Sequence, residues 1–136
     1  MKPEQFIREF GVEKAREVVS DAPNGATLFR LGGIEEIPTY LKIIDGKYWR
    51  YSWRSGFREA CQSTYSKIND AGELVSIFDI KRLVESVDLV ESWGGIEDLK
   101  LYDLSHCKDK PESAGYKLLQ AIADYESIYG GGDETN

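Results

Sequence analysis

Two cysteines, Cys61 and Cys107, and one histidine, His106, supply all the thiol and imidazole groups of this 136-residue chain. Such groups act as nucleophiles, general bases and metal ligands, so their spacing decides which chemistry is open. The cysteines are far apart and form no Cys-x-x-Cys pair, so no zinc or redox motif is present. His106 and Cys107 are neighbours in sequence, and adjacent side chains usually diverge, which serves a Cys–His nucleophile pair poorly. His106 can still meet Cys61 in space, but no base, orienter or set of oxyanion donors is identifiable around it. Carboxylates are plentiful, yet none sits in an acid/base motif. Gly32-Gly33 is a lone glycine pair, without the fingerprint of a P-loop or a dinucleotide site. The expectation is a protein that is not an enzyme, with no catalytic residue, no metal site and no cofactor.

The formal net charge is −7. That disfavours non-specific binding to nucleic acid or to a membrane surface by the whole molecule, and favours solubility or a basic partner. Eight tyrosines and three tryptophans can fill a core, but aromatics are also enriched at interfaces. No apolar run approaches the length of a membrane span. The opening MKPEQFIREF places charges where a signal peptide needs its apolar region. The chain therefore reads as cytoplasmic, with reduced thiols and no membrane partner.

Two constellations point to binding. The first is acidic: Glu85, Asp88 and Glu91, followed by Glu97 and Asp98. Asp88 lies three residues from both Glu85 and Glu91, so the three share one side of a helix. Such a strip can imitate a row of phosphates and occupy the nucleic-acid channel of another protein. It also reads as the solvated face of a core helix. The second interleaves Lys42, Lys47, Arg50, Arg54 and Arg58 with Trp49, Tyr51, Trp53 and Phe57. Basic residues with aromatics can hold single-stranded nucleic acid by charge and stacking. Within it, Lys47, Trp49, Arg50, Trp53 and Arg54 form the alternative binding set. That stretch also reads as an ordinary hairpin with a solvated basic edge.

The elements that carry these residues follow from pattern. Ile80, Leu83, Val84, Val87, Val90 and Trp93 recur at helical spacing behind Asp79, a candidate N-cap, and Gly94-Gly95 stop the helix. The acidic strip lies on its opposite face. Ile96 and Leu99 support a short second helix. Thr39 to Trp53 reads as two strands joined at Asp45-Gly46, a type I′ turn that pairs Ile44 with Lys47 and Ile43 with Tyr48. Both hairpin faces are mixed; the larger aromatic area favours burial of Trp49, Tyr51 and Trp53 against helices. Residues 57–68 suit a helix or a strand. Phe6, Ile7 and Phe10 mark a first helix, and Pro111 looks like the start of a last one, whose face holds Leu118, Ile122 and Tyr125. The fold class is α+β: a small antiparallel sheet with a β-hairpin packed against several short helices. One domain spans 1–129, and 130–136 form a flexible tail.

Three phrases, FIREFGVEKAREVVSDAPNGAT, DIKRLVESVDLVESWGGIEDLK and LLQAIADYESIYG, resemble small accessory proteins carried by temperate phages and prophages of gammaproteobacteria. The segment from Leu31 to Val75 has no counterpart in that resemblance. The resemblance implies a phage-encoded accessory role in the host cell cytoplasm. The partner it implies is a host protein or protein–nucleic acid complex, such as a defence nuclease or a CRISPR effector complex, inhibited through the acidic surface. The alternative is a nucleic-acid-binding module that uses the basic aromatic hairpin at 39–58.

Overall fold

The computed structural model describes residues 1–32, 37–102 and 112–130. They form an α+β fold with a five-stranded antiparallel sheet. The chain divides into two compact units, 1–80 and 81–136.

The first unit holds the sheet. Helices α1 (Pro3–Phe10) and α2 (Val12–Asp21) precede strands β1 (Leu28–Gly32), β2 (Ile37–Ile44), β3 (Lys47–Ser52) and β4 (Gly56–Glu59). Helix α3 (Gln62–Asp70) and the two-residue β5 (Val75–Ser76) follow, and the strand order is β4-β3-β2-β1-β5. The stretch that read equally as helix or strand is thus both: β4, then α3.

The hairpin forms at the expected turn. Ile44 pairs with Lys47 and Ile43 with Tyr48. Asp45 and Gly46 both take positive φ, 51° and 77°, as a type I′ turn requires. Register then assigns faces, because directly opposed residues share a side and successive residues alternate. Phe29, Tyr40, Lys42, Trp49, Tyr51 and Phe57 lie on one face; Leu28, Leu41, Arg50 and Arg58 lie on the other.

Helices reach the aromatic face at β1 and β2. The buried Phe6 of α1 meets Phe29 edge-on at 5.1 Å, and the Tyr40 hydroxyl donates to the Val18 carbonyl of α2 at 2.6 Å. They do not cover Trp53, which is 69% exposed. Expected burial of the Trp49/Tyr51/Trp53 face against helices is therefore corrected at Trp53: the helix contacts go to Phe29 and Tyr40, Trp49 and Tyr51 are half-buried, and Tyr51 meets Trp53 and Phe57 edge-on. Tyr40 and its neighbour Leu41 are both buried although they face opposite ways, so the centre of β2 is covered on both sides.

Helix α4 (Ile77–Ser92) begins two residues earlier than Asp79. The Ser76 hydroxyl accepts the Asp79 N–H at 3.2 Å, which places Asp79 inside the first turn rather than before it. A hydroxyl at this place satisfies an N–H that the first helical turn leaves without a carbonyl. Ile80 closes the first unit and is fully buried.

In the second unit Leu83, Val84, Val87 and Val90 are buried along α4, as the spacing predicts. Trp93, at the end of the stripe, is 44% exposed. The helix stops in a Schellman turn: Gly95 N–H donates to the Val90 carbonyl and Gly94 N–H to the Glu91 carbonyl, both at 3.1 Å. Gly94 has φ 95°, so the backbone conformation calls for glycine. Helix α5 (Ile96–Leu99) follows at once. Helix α6 (Ala114–Tyr125) starts at Ser113, whose hydroxyl accepts from Tyr116 N–H at 3.1 Å, and a single π turn, Glu126–Gly130, continues it. Pro111 lies outside the described residues, as do His106, Cys107 and the tail from 131. Val90, Leu99, Leu118 and Ala121 form one core cluster, with Leu89, Ile96, Ile122 and Tyr125 packed against it.

Candidate functional site

The acidic constellation stands in solvent. Glu85, Asp88 and Glu91 are exposed on α4, and Glu97 and Asp98 are exposed on α5. The helix period explains the first three: positions three apart lie on one side, opposite the buried Leu83, Val87 and Val90 stripe. The Schellman turn explains the other two. It reverses the chain immediately after Glu91, and Leu99 anchors α5 in the core cluster, so Glu97 and Asp98 cannot turn inward.

Two cations near these residues, Arg82 and Lys100, are engaged. Arg82 pairs with Asp124 of α6 at 3.5 Å, and Asp124 also accepts from the buried Ser86 hydroxyl at 2.6 Å. Lys100 pairs with Glu126 at 3.0 Å, which raises the lysine pKa through that hydrogen bond and charge.

Aromatic groups border it, and this the apolar pattern did not reveal. Trp93 and Tyr102 meet edge-to-face at 5.8 Å across the α5 segment while remaining 44% and 57% exposed. Leu101 beside them is 83% exposed. Tyr129 meets Tyr125 in a tilted contact at 4.8 Å; burial first, then Tyr125 and Glu91, push its phenol pKa up. The signal was present in the sequence as Trp93 at the edge of the stripe, where burial and exposure look alike.

The hairpin set is split. Lys47, Trp49 and Trp53 belong to the aromatic side, whereas Arg50 points to the opposite face and Arg54 sits in the β3–β4 turn. On the aromatic side Trp53 meets Tyr51 at 4.8 Å and Tyr40 at 6.4 Å, Tyr51 meets Phe57 at 5.1 Å, and the Lys42 ammonium lies 4.2 Å from the Phe57 ring centre. Lys47 is 3.7 Å from Glu59. Trp49 Nε1 is buried without a hydrogen-bond acceptor.

No protein-family model, curated protein or solved structure matches this chain. The residues must carry the functional reading themselves.

Sequence reasoning passed over one concavity. A cavity of about 520 Å³ on the Arg50/Arg58 face is lined by Arg50, Ser52, Arg58, Cys61, Thr64 and Tyr65, with Glu59 and Ala60. Cys61 is an exposed free thiol at the N-cap of α3. It lies 3.5 Å from the Ser63 hydroxyl and accepts from the Thr64 hydroxyl at 3.1 Å. These hydroxyls, Ser63 first, with the local backbone N–H groups, lower its pKa to about 7. No cluster of metal-ligating side chains occurs among the described residues, and no described helix is long and apolar enough to cross a membrane.

Proposed function

We propose that this chain is a non-enzymatic binding protein that docks a basic surface of another protein through the α4–α5 face. The observation that carries the reading is the exposed Trp93–Tyr102 pair set beside exposed Glu91, Glu97 and Asp98. Separate surface ion pairs are each worth only about 0–1 kcal/mol. A charged strip alone therefore steers association more than it holds a complex. Tryptophan and tyrosine supply the apolar anchor that tight interfaces concentrate in a few residues. Charge with an anchor is what a protein partner uses, whereas a phosphate backbone would be repelled.

The resemblance to phage accessory proteins makes the partner a host defence nuclease or a CRISPR effector complex, whose nucleic-acid channel is the basic surface and whose inhibition is the outcome. The test is affinity capture from host-cell extract with the native chain and with a Glu85→Gln, Asp88→Asn, Glu91→Gln variant shown to be folded. The native chain should retain a basic, nucleic-acid-handling protein that moderate salt weakens and the variant loses. Equal capture by both, with equal salt dependence, rejects the acidic face. A Trp93→Ala variant should weaken capture of the same partner by a similar factor at low and moderate salt.

A second reading has its own observation. Trp53, the most exposed tryptophan, is braced by Tyr51 and Tyr40 on the side that carries Lys42. A braced, open ring is a stacking platform for a nucleobase. Binding of single-stranded oligonucleotide that survives the acidic triple variant and is lost in Trp53→Ala would favour this reading.

A further inference from the structure

Arg50 and Arg58 are direct partners across β3 and β4, so two guanidinium side chains occupy opposed positions on one face. Like charges set opposite each other on adjacent strands destabilise the pair. Neither side chain has a carboxylate partner among the described residues: the Arg50 guanidinium makes no hydrogen bond there, and that of Arg58 donates only to the Ser55 hydroxyl at 3.2 Å. The chain has 24 acidic residues, and the one carboxylate in the cavity wall, Glu59, is paired with Lys47. Both arginines open into the 520 Å³ cavity, with the hydroxyl-bearing Ser52, Thr64 and Tyr65 around it.

We propose that this cavity binds a small phosphate monoester, its oxyanion held between the Arg50 and Arg58 guanidiniums. A guanidinium presents a planar fork of N–H donors that matches phosphate oxygens two at a time, and a bound dianion removes the repulsion between the two arginines. Ser52, whose hydroxyl accepts from the Arg54 N–H and keeps its own proton free, adds a neutral donor in the wall. A volume of this size is in the range of small-molecule sites, roughly 300–1,000 Å³, and exceeds what a bare ion needs. The half-buried Tyr65, braced by Tyr48 at 6.1 Å, offers the surface for the organic part. The wall is held in place: the Gln62 side chain locks the start of α3 to Tyr48 of β3 through two hydrogen bonds and to the Ala60 carbonyl through a third. The site is independent of the α4–α5 reading, because every residue it uses lies in the first unit.

Cys61 in the wall makes binding measurable. Alkylation of Cys61 by neutral iodoacetamide, followed by peptide mass analysis, is timed at pH 7 with inorganic phosphate, acetate or chloride at matched ionic strength. A bound phosphate covers the thiol and disfavours its thiolate, so both effects slow the reaction. If the phosphate raises the midpoint from about 7 to about 8, the thiolate fraction at pH 7 falls about fivefold. Phosphate should therefore slow Cys61 by about that factor and chloride should not. The effect should vanish in Arg50→Gln, Arg58→Gln. Phosphorus NMR line broadening by the native chain, absent with the variant, checks binding without the thiol and needs no variant to detect it. Equal rates in phosphate and chloride with no line broadening overturn the proposal. Equal slowing in the variant also overturns it, and slowing by acetate in place of phosphate assigns the cavity to a carboxylate instead.

Discussion

The side-chain amide of Gln62 pairs with both backbone groups of Tyr48: its Oε1 accepts from the Tyr48 N–H at 2.7 Å and its Nε2 donates to the Tyr48 carbonyl at 3.0 Å. Nε2 also donates to the Ala60 carbonyl at 2.8 Å. One side chain thus stands in for a strand residue where β4 ends, and fixes the first turn of α3 against β3. Gln62→Ala should remove three hydrogen bonds and leave part-buried backbone groups unmet. We expect a loss of about 1–3 kcal/mol in urea denaturation. A change within error would show that water replaces the amide without cost.

Leu99 is the only fully buried residue of the four-residue α5, and its side chain sits in the cluster with Val90, Leu118 and Ala121. A helix this short has no stability of its own. Leu99→Ala should cost about 2–5 kcal/mol by loss of burial and by the cavity left behind. It should also release Glu97 and Asp98, so partner capture should weaken even where the variant remains folded at low temperature. Retention of both stability and capture would remove α5 from the proposed face.

The Cys61 thiol should titrate early. Hydrogen bonds from Ser63 and Thr64 favour the thiolate, and its pKa is lowered to about 7. A lowered pKa means that the reactive form accumulates at lower pH. The rate of Cys61 alkylation should therefore rise with a midpoint near pH 7 and level off before a free thiol, at about 8.5, has half ionised. Thr64→Val should move the midpoint upward. A native midpoint at or above 8.5 would contradict the hydroxyl contacts.

Tyr40 gives a second pH signature, at the alkaline end. Burial first, then the Asp21 and Glu17 carboxylates, push its phenol up to about 12. The folded state thus holds the proton more tightly than the unfolded chain, whose tyrosine ionises near 10. The contribution is whole below about pH 10 and is lost as pH rises toward 12. Tyr40→Phe also forfeits the 2.6 Å hydrogen bond to the Val18 carbonyl. At pH 7 the native chain should be the more stable by about 1 kcal/mol or more, and that advantage should shrink between pH 10 and 12. A constant difference across that range would show that Tyr40 ionises equally in both states.

The sequence alone determined what depends on near neighbours. The apolar period placed Leu83, Val87 and Val90 inside and Glu85, Asp88 and Glu91 outside, because a helix maps spacing directly onto direction. Asp45-Gly46 set the hairpin register, because a two-residue turn with positive φ leaves one pairing. Even locally, Ser76 took the capping role assigned to Asp79, since the chain entered the helix three residues sooner. The tertiary structure decided which sheet surface is covered. Tyr40 and Leu41 are both buried, so alternation carried no answer there, while Trp53 lies past the reach of α1 and α2. It also brought Arg50, Arg58, Cys61 and Thr64 to one cavity. Register across β3 and β4 and the Gln62 clamp do that, and neither leaves a periodic trace in the chain, because the partners meet through a turn and a side chain rather than through spacing.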